Sequence, residues 1–164
     1  MGRIVLIGEA PGHGEEETGK PFMGIAGQAL DKWLQELSLE DKVYITNICK
    51  CRPPYNRKPT TIEADTCAQR YLTEELHIIE PKVVVCLGRT AINYLFKGGP
   101  FERGVAHRWI FNSTDIWVIP TWHPSYFNRL GGESSKKGSD IRSQVISSLS
   151  RAKEIAYGPA KFDS

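Results

Sequence analysis

The chain has 164 residues, 40% of them hydrophobic and 24% charged, with a formal net charge of +2. That length sets a single domain spanning residues 1–164 as the expectation, and the balanced composition excludes fibrous and disordered classes. The longest apolar runs, Ile4 to Ile7 and Val83 to Leu87, are far too short to cross a bilayer, so no membrane association is expected.

No secretory signal is expected from the opening residues. A domain of this size can bury a sufficient core unaided, so an intracellular, cytoplasmic protein is expected. Mild basicity, with a pI near 8.3, excludes a histone-like binder but permits a basic stripe on one face. Four cysteines, Cys49, Cys51, Cys67 and Cys86, lack the density of a disulfide scaffold, which leaves metal ligation or plain burial.

The first element is a strand from Arg3 to Ile7, apolar and β-branched as in a strand covered on both faces. A glycine-rich loop, Gly8 to Gly24, leads to a helix predicted over Ile25 to Leu37, with Ala29, Leu30, Trp33, Leu34 and Leu37 on one face. Val43 to Thr46 reads as a strand, Asn47 to Pro59 as a proline-rich loop, and Thr61 to Ile79 as a helix. Lys82 to Leu87 is a second buried strand, followed by a helix from Gly88 to about Phe96. Two strands, His107 to Phe111 and Asp115 to Thr121, flank the turn Asn112–Asp115. A mobile connection is expected over Gly131 to Gly138, and a last amphipathic helix over Ser139 to Ile155.

Strands alternating with helices imply a mostly parallel sheet with helices on both faces. Ligands in such folds bind beyond the carboxyl ends of the strands. That rule selects four loops: Gly8–Gly24, Asn47–Pro59, Gly88–Thr90 and Trp122–Arg129.

In the first loop, Gly8 and Gly12 flank Ala10-Pro11, which suits backbone passing close to a ligand. Phe22, between a proline and a methionine-glycine pair, is a candidate stacking surface, with burial in the core as the alternative. In the second loop, the Asn47 carboxamide can donate and accept at once, as a base edge requires. Lys50, Arg52, Arg57 and Lys58 form a basic cluster around prolines and a tyrosine; phosphate contact competes with a solvated surface. In the fourth loop, His123 stands at a strand end before Pro124-Ser125-Tyr126-Phe127, placed to donate to developing negative charge.

Gly8-Glu-Ala-Pro-Gly12, Gly19-Lys-Pro-Phe-Met-Gly24, Ile45-Thr-Asn-Ile-Cys-Lys-Cys-Arg-Pro-Pro54 and His123-Pro-Ser-Tyr126 resemble, in order, the motifs of the family 4 uracil-DNA glycosylases. Val84-Val-Cys-Leu-Gly-Arg-Thr-Ala91 is similar to that family's central strand and helix, and the likeness runs to about Arg129. It implies a three-layer α/β/α sandwich around a mostly parallel four-stranded sheet. It also implies hydrolysis of the N-glycosidic bond of deoxyuridine in single- or double-stranded DNA, after the base has been flipped into a pocket. A monomer acting in base excision repair is expected.

By this resemblance His123 hydrogen-bonds uracil O2, Asn47 reads the O4 and N3 edge, and Phe22 stacks on the base. Gly8, Ala10 and Gly12 hold the base and the water. Glu9 is the first candidate for orienting water or stabilising the sugar cation. Glu15 is the second, with a loop-holding role through Asn56 as its alternative. Lys50, Arg52, Asn56 and Arg57 would meet DNA on one side, and Ser125, Tyr126, Phe127 and Arg129 on the other. Tyr126 and Phe127 stand where a wedge would enter the base stack.

The family holds a 4Fe–4S cluster on four cysteines, of which Cys51 and Cys67 match two. The other pair lies ahead of the first strand in the family and has no counterpart in these residues, so no cluster is expected. No cofactor is required for the chemistry. The alternatives are a glycosylase for another deaminated or modified pyrimidine and a non-catalytic DNA-binding relative. Covalent capture of the product would need a basic insert that is absent after the first motif.

Overall fold

The structure is a computed structural model and describes residues 3–9, 25–48, 60, 62, 71–96, 102–111 and 114–158. Strand β1 (Ile4–Gly8) leads to α1 (Ile25–Glu36), β2 (Val43–Asn47), α2 (Thr73–Ile79), β3 (Val83–Leu87) and α3 (Arg89–Phe96). Then come β4 (His107–Phe111), β5 (Thr114–Thr121), α4 (Pro124–Arg129), a 3₁₀ turn at Gly132–Ser134 and α5 (Lys136–Tyr157). The sheet order is β2-β1-β3-β5-β4. The first four strands are parallel, and β4 pairs antiparallel with β5 as an edge hairpin. The expected four-stranded parallel sheet is therefore present, widened to five strands.

Alternation along the strands builds the three layers, because successive residues of a strand face opposite sides of the sheet. Ile4, Leu6, Val83, Val85, Leu87 and Ile119 face α1 and α5, where they meet Leu30, Trp33, Val145 and Leu149. Val5, Ile7, Val84, Cys86 and Val118 face the other way, onto Leu72, Leu76, Ala91 and Ile92. β1 and β3 are buried along their whole length, which explains their unbroken apolar sequences. Glu75 fastens α2 to the edge strand: Tyr44 Oη donates to its Oε2 at 2.6 Å and Thr46 Oγ1 to its Oε1 at 3.0 Å.

Two segments depart from the sequence reading. Trp122–Arg129, read as a loop, contains α4, with Pro124 at its first position and His123 as its N-cap. The connection expected to be mobile is the 3₁₀ turn plus the first turn of α5, which starts at Lys136 rather than Ser139. Ser135 caps it by accepting from Gly138 N at 3.0 Å. Gly138 is no breaker here, because its missing side chain lets the helix lie directly on the Gly132 backbone.

Candidate active site

The parallel strands all end on one side of the sheet, and the loops leaving β1, β3 and β5 open a cleft there of about 530 Å³. That size falls within the roughly 300–1,000 Å³ typical of small-ligand sites. Its described lining includes Glu9 after β1, Gly88 to Thr90 after β3, and Trp122, His123, Ser125, Tyr126 and Arg129 around the start of α4. Arg103 closes it from the segment before β4.

The backbone leading to His123 is fixed at Thr121, and the ring itself by Ser125. Gly88 N donates to Thr121 O at 3.2 Å, tying the ends of β3 and β5 together. The Ser148 hydroxyl of α5 donates to Thr121 Oγ1 at 3.0 Å. Finally, His123 Nδ1 accepts from Ser125 N at 3.0 Å and lies 2.8 Å from Ser125 Oγ. An Nδ1 that accepts a backbone N–H carries no proton, so the neutral ring carries its proton on Nε2. Burial, reinforced by the nearby Arg129 cation, pushes the His123 pKa down to about 4. The imidazole is therefore neutral at physiological pH and a single-tautomer donor through Nε2.

Glu9 stands on the same cleft and accepts a hydrogen bond from the Thr90 hydroxyl at the start of α3, which fixes its carboxylate. Gly88 has φ +99, and a Cβ there would lie 3.0 Å from His123 Cβ. Only glycine combines that backbone with that approach. Gly88→Ala is expected to lower turnover about 10- to 100-fold by displacing His123. Single-turnover kinetics check this; a smaller loss would mean that the loop adjusts.

Asn47 ends β2 opposite Gly8, and Ile48 N donates to Gly8 O at 2.9 Å. It is buried, at 6% exposure, and no hydrogen bond occupies its carboxamide among the described residues. It shares the sheet edge with His123 but stands three strands away from it and outside the described lining of the cleft. Tyr126 and Arg129 do line the cleft, and Ser125 serves His123 directly.

Phe127 is a correction. Expected as a wedge with Tyr126, it is 6% exposed and packs edge-on against Trp33, with ring centroids 5.0 Å apart. On the short helix α4, Phe127 is turned inward to anchor it while Tyr126 faces the cleft. Ala10, Gly12, Glu15, Phe22, Lys50, Cys51, Arg52, Asn56, Arg57, Lys58 and Cys67 lie outside the described residues.

Sequence reasoning selected the loops after β3 and β5 but gave no role to Arg89, Thr90 or Trp122, and it missed Arg103. Trp122 could have been found as the neighbour of His123. Arg103 carries no local signal, since the chain brings it to the cleft only by reversing into β4.

Cys86 is wholly buried in β3 among apolar side chains, and burial pushes its thiol pKa far up. It does not fit a cluster ligand, which must be a thiolate. Cys86 is therefore a core residue; Cys49, Cys51 and Cys67 lie outside the described residues.

A doubly covered parallel sheet with a polar cleft at its strand ends, and a neutral histidine and a carboxylate facing into it, defines an α/β enzyme. A family model described as the Uracil DNA glycosylase superfamily matches residues 2–149, and the chain belongs to that superfamily. It is 38% identical over 158 residues to a type-4 uracil-DNA glycosylase of Thermotoga maritima, covering 93% of this chain and 77% of that protein. A type-4 enzyme of Sulfurisphaera tokodaii is 36% identical over 97% of this chain and 72% of its own length. A type-5 uracil-DNA glycosylase of Thermus thermophilus is 41% identical over 94% of this chain and 76% of its own.

Proposed function

We propose that this chain is a uracil-DNA glycosylase that removes uracil flipped out of DNA, leaving an abasic site for base excision repair. The observation that carries the reading is the Ser125–His123 arrangement: with Nδ1 satisfied, a neutral Nε2–H is preorganised in the cleft that Glu9 shares. When the C1′–N1 bond breaks, its electron pair moves onto the base and spreads to O2, and the Nε2–H donates a hydrogen bond there. A neutral donor holds the departing anion without giving up a proton. The sugar is left oxocarbenium-like, as in other glycoside hydrolysis. Glu9 stabilises that cation and orients the water that adds to C1′; the proton the water loses passes to the Glu9 carboxylate and from there to solvent or to the uracil anion. Side chains and water supply every step, so no cofactor is required.

Asn47 reads the O4 and N3 edge; its buried carboxamide, with no hydrogen bond among the described residues, supports this. The enzyme acts as a monomer inside the cell on DNA presented single- or double-stranded. The test is a labelled oligonucleotide with one central uracil, single-stranded or opposite G or A, followed by hot alkali. Strand scission confined to uracil is expected, and absence of scission would sink the reading. Asn47→Asp is expected to admit cytosine at a measurable rate, because one carboxyl oxygen can accept from its N4–H2 and the other, when protonated, can donate to its N3. Unchanged base choice would remove Asn47 from base reading.

A further inference from the structure

The opening of α3 touches both groups that the proposed reaction needs. Gly88 lies against His123, where a Cβ would meet the His123 Cβ at 3.0 Å. Two residues on, the Thr90 hydroxyl donates to Glu9 Oε2. The sheet register brings these residues together. β1 and β3 are parallel neighbours with Ile7 opposite Cys86, so Glu9, just past β1, comes level with Gly88 and the start of α3. Ala91 and Ile92, next along α3, are wholly buried in the cluster that holds Val5, Ile7 and Val84. Ile92 N closes the first turn on Gly88 O at 3.2 Å. That turn cannot slide without opening the core.

A threonine hydroxyl inside a helix commonly bonds back to a carbonyl three or four residues earlier. At the second position of α3 those residues are Leu87 and Cys86, still in strand β3, and the hydroxyl reaches Glu9 instead. Glu9 and Thr90 are both half-buried on the cleft wall. A hydrogen bond donated to a carboxylate is stronger than one between neutral groups. Here it pins a terminal torsion that is broad in an unheld glutamate. With Oε2 engaged, Oε1 is the oxygen that remains for a water.

We infer that Thr90 is a positioning residue for the hydrolysis: by holding Glu9 Oε2 it makes Oε1 the oxygen that orients the attacking water and takes its proton. As the water oxygen bonds to C1′, one of its O–H bonds breaks, the electron pair stays on that oxygen, and the proton goes to Oε1. The Thr90 proton stays on threonine, bonded to Oε2 before and after the step. Gly88 and Thr90, two residues apart, thereby set the spacing between the histidine and the carboxylate. This rests on the glycosylase reading above, and the experiment separates the two.

Thr90→Val replaces the hydroxyl with a methyl group of similar size. It is expected to slow single-turnover uracil release about 10- to 30-fold, since a misplaced reacting group can cost about 10²-fold. Affinity for an uncleavable oligonucleotide carrying a tetrahydrofuran abasic analogue, read by fluorescence anisotropy, should change less than about twofold, because the step affected follows binding. Thr90→Ser keeps the donor and should bring the rate to within about threefold of wild type. In a Glu9→Gln background, itself slow, adding Thr90→Val should cost less than about twofold more, because the carboxylate it acts through is gone.

A Thr90→Val rate within about twofold of wild type would overturn the inference. So would a full further loss in the Glu9→Gln background, a Thr90→Ser protein as slow as Thr90→Val, or a loss of affinity that matches the loss of rate. A wild type that releases no uracil would sink the glycosylase reading and this inference with it. An active wild type with an undiminished Thr90→Val variant would sink the inference alone.

Discussion

His123→Ala is expected to lower the rate of uracil release about 10²–10³-fold while changing DNA affinity less than about threefold. The size follows from what one preorganised donor to a developing anion contributes, about 3–4 kcal/mol. The asymmetry follows from timing: in the proposed reaction the hydrogen bond to O2 strengthens as charge builds on the base, so its loss appears in the chemical step. Single-turnover kinetics and an affinity measurement on uncleavable DNA check both halves. Equal losses in the two would make His123 a structural cap of α4, which it also is.

The pH dependence carries a second signature of the same group. An ordinary histidine titrates near 6.5, but this one is pushed down to about 4. His123 therefore stays a neutral donor throughout the mildly acidic range, and the rate should show no inflection near 6.5 attributable to it. The sign for stability is the reverse of a salt-bridged histidine. Above about pH 6.5 the ring is neutral both folded and unfolded, so the shift contributes nothing. Between about 6.5 and 4 the unfolded chain takes up a proton that the folded one refuses, and stability falls as pH falls. Denaturant melts of wild type and His123→Ala across that window should converge toward the acid end, because the variant lacks this loss.

Gly138→Ala is expected to destabilise the protein by about 2–3 kcal/mol, near the top of the usual range for overpacking. A Cβ at 138 would lie 2.0 Å from the carbonyl oxygen of Gly132 and 2.8 Å from its carbon. Both are backbone atoms, so no side chain can swing aside. Replacing glycine by alanine in a helix gains at most about 1 kcal/mol, which does not offset that clash. The melting temperature should fall by roughly 5–10 °C. The exposed neighbour Ser139→Ala should stay within about 0.5 kcal/mol of wild type. The effect should reach catalysis too, because the Gly132 turn lies beside the Phe127 ring that anchors α4 and, through it, His123. A melting temperature unchanged in Gly138→Ala would mean that α5 starts later and the turn does not bear on it.

Much of the architecture was legible in the amino-acid order because its cause is local. Ile4–Ile7 and Val83–Leu87 read as doubly covered strands since burial on both faces tolerates no polar residue, and both are fully buried. The end of α1 was set one residue late, where Ser38 turns at φ 56, a conformation that a serine does not announce. The fifth strand of the sheet came from a segment that was read correctly as a strand. Its antiparallel placement at the edge depends on pairing with β5, which lies in no local pattern.

The strand-end rule pointed to the side of the sheet where the described cleft opens, and Glu9, His123, Ser125, Tyr126 and Arg129 line it. It failed for Phe127. Adjacent aromatics on a short helix point apart, and which one faces the core is settled only by Trp33 across the interface.

The sequence by itself determined the layered fold, the order of the loops that carry chemistry, and the kinship with uracil-DNA glycosylases, since each is written in contiguous residues. Only the tertiary structure decided that His123 is a neutral Nε2 donor, that Thr90 holds Glu9, and that Arg103 joins the cleft from the reversed segment before β4. Protonation, carboxylate orientation and the meeting of distant cations depend on burial and on neighbours far away in the chain. They come into being when the sheet closes and its strand ends are brought together.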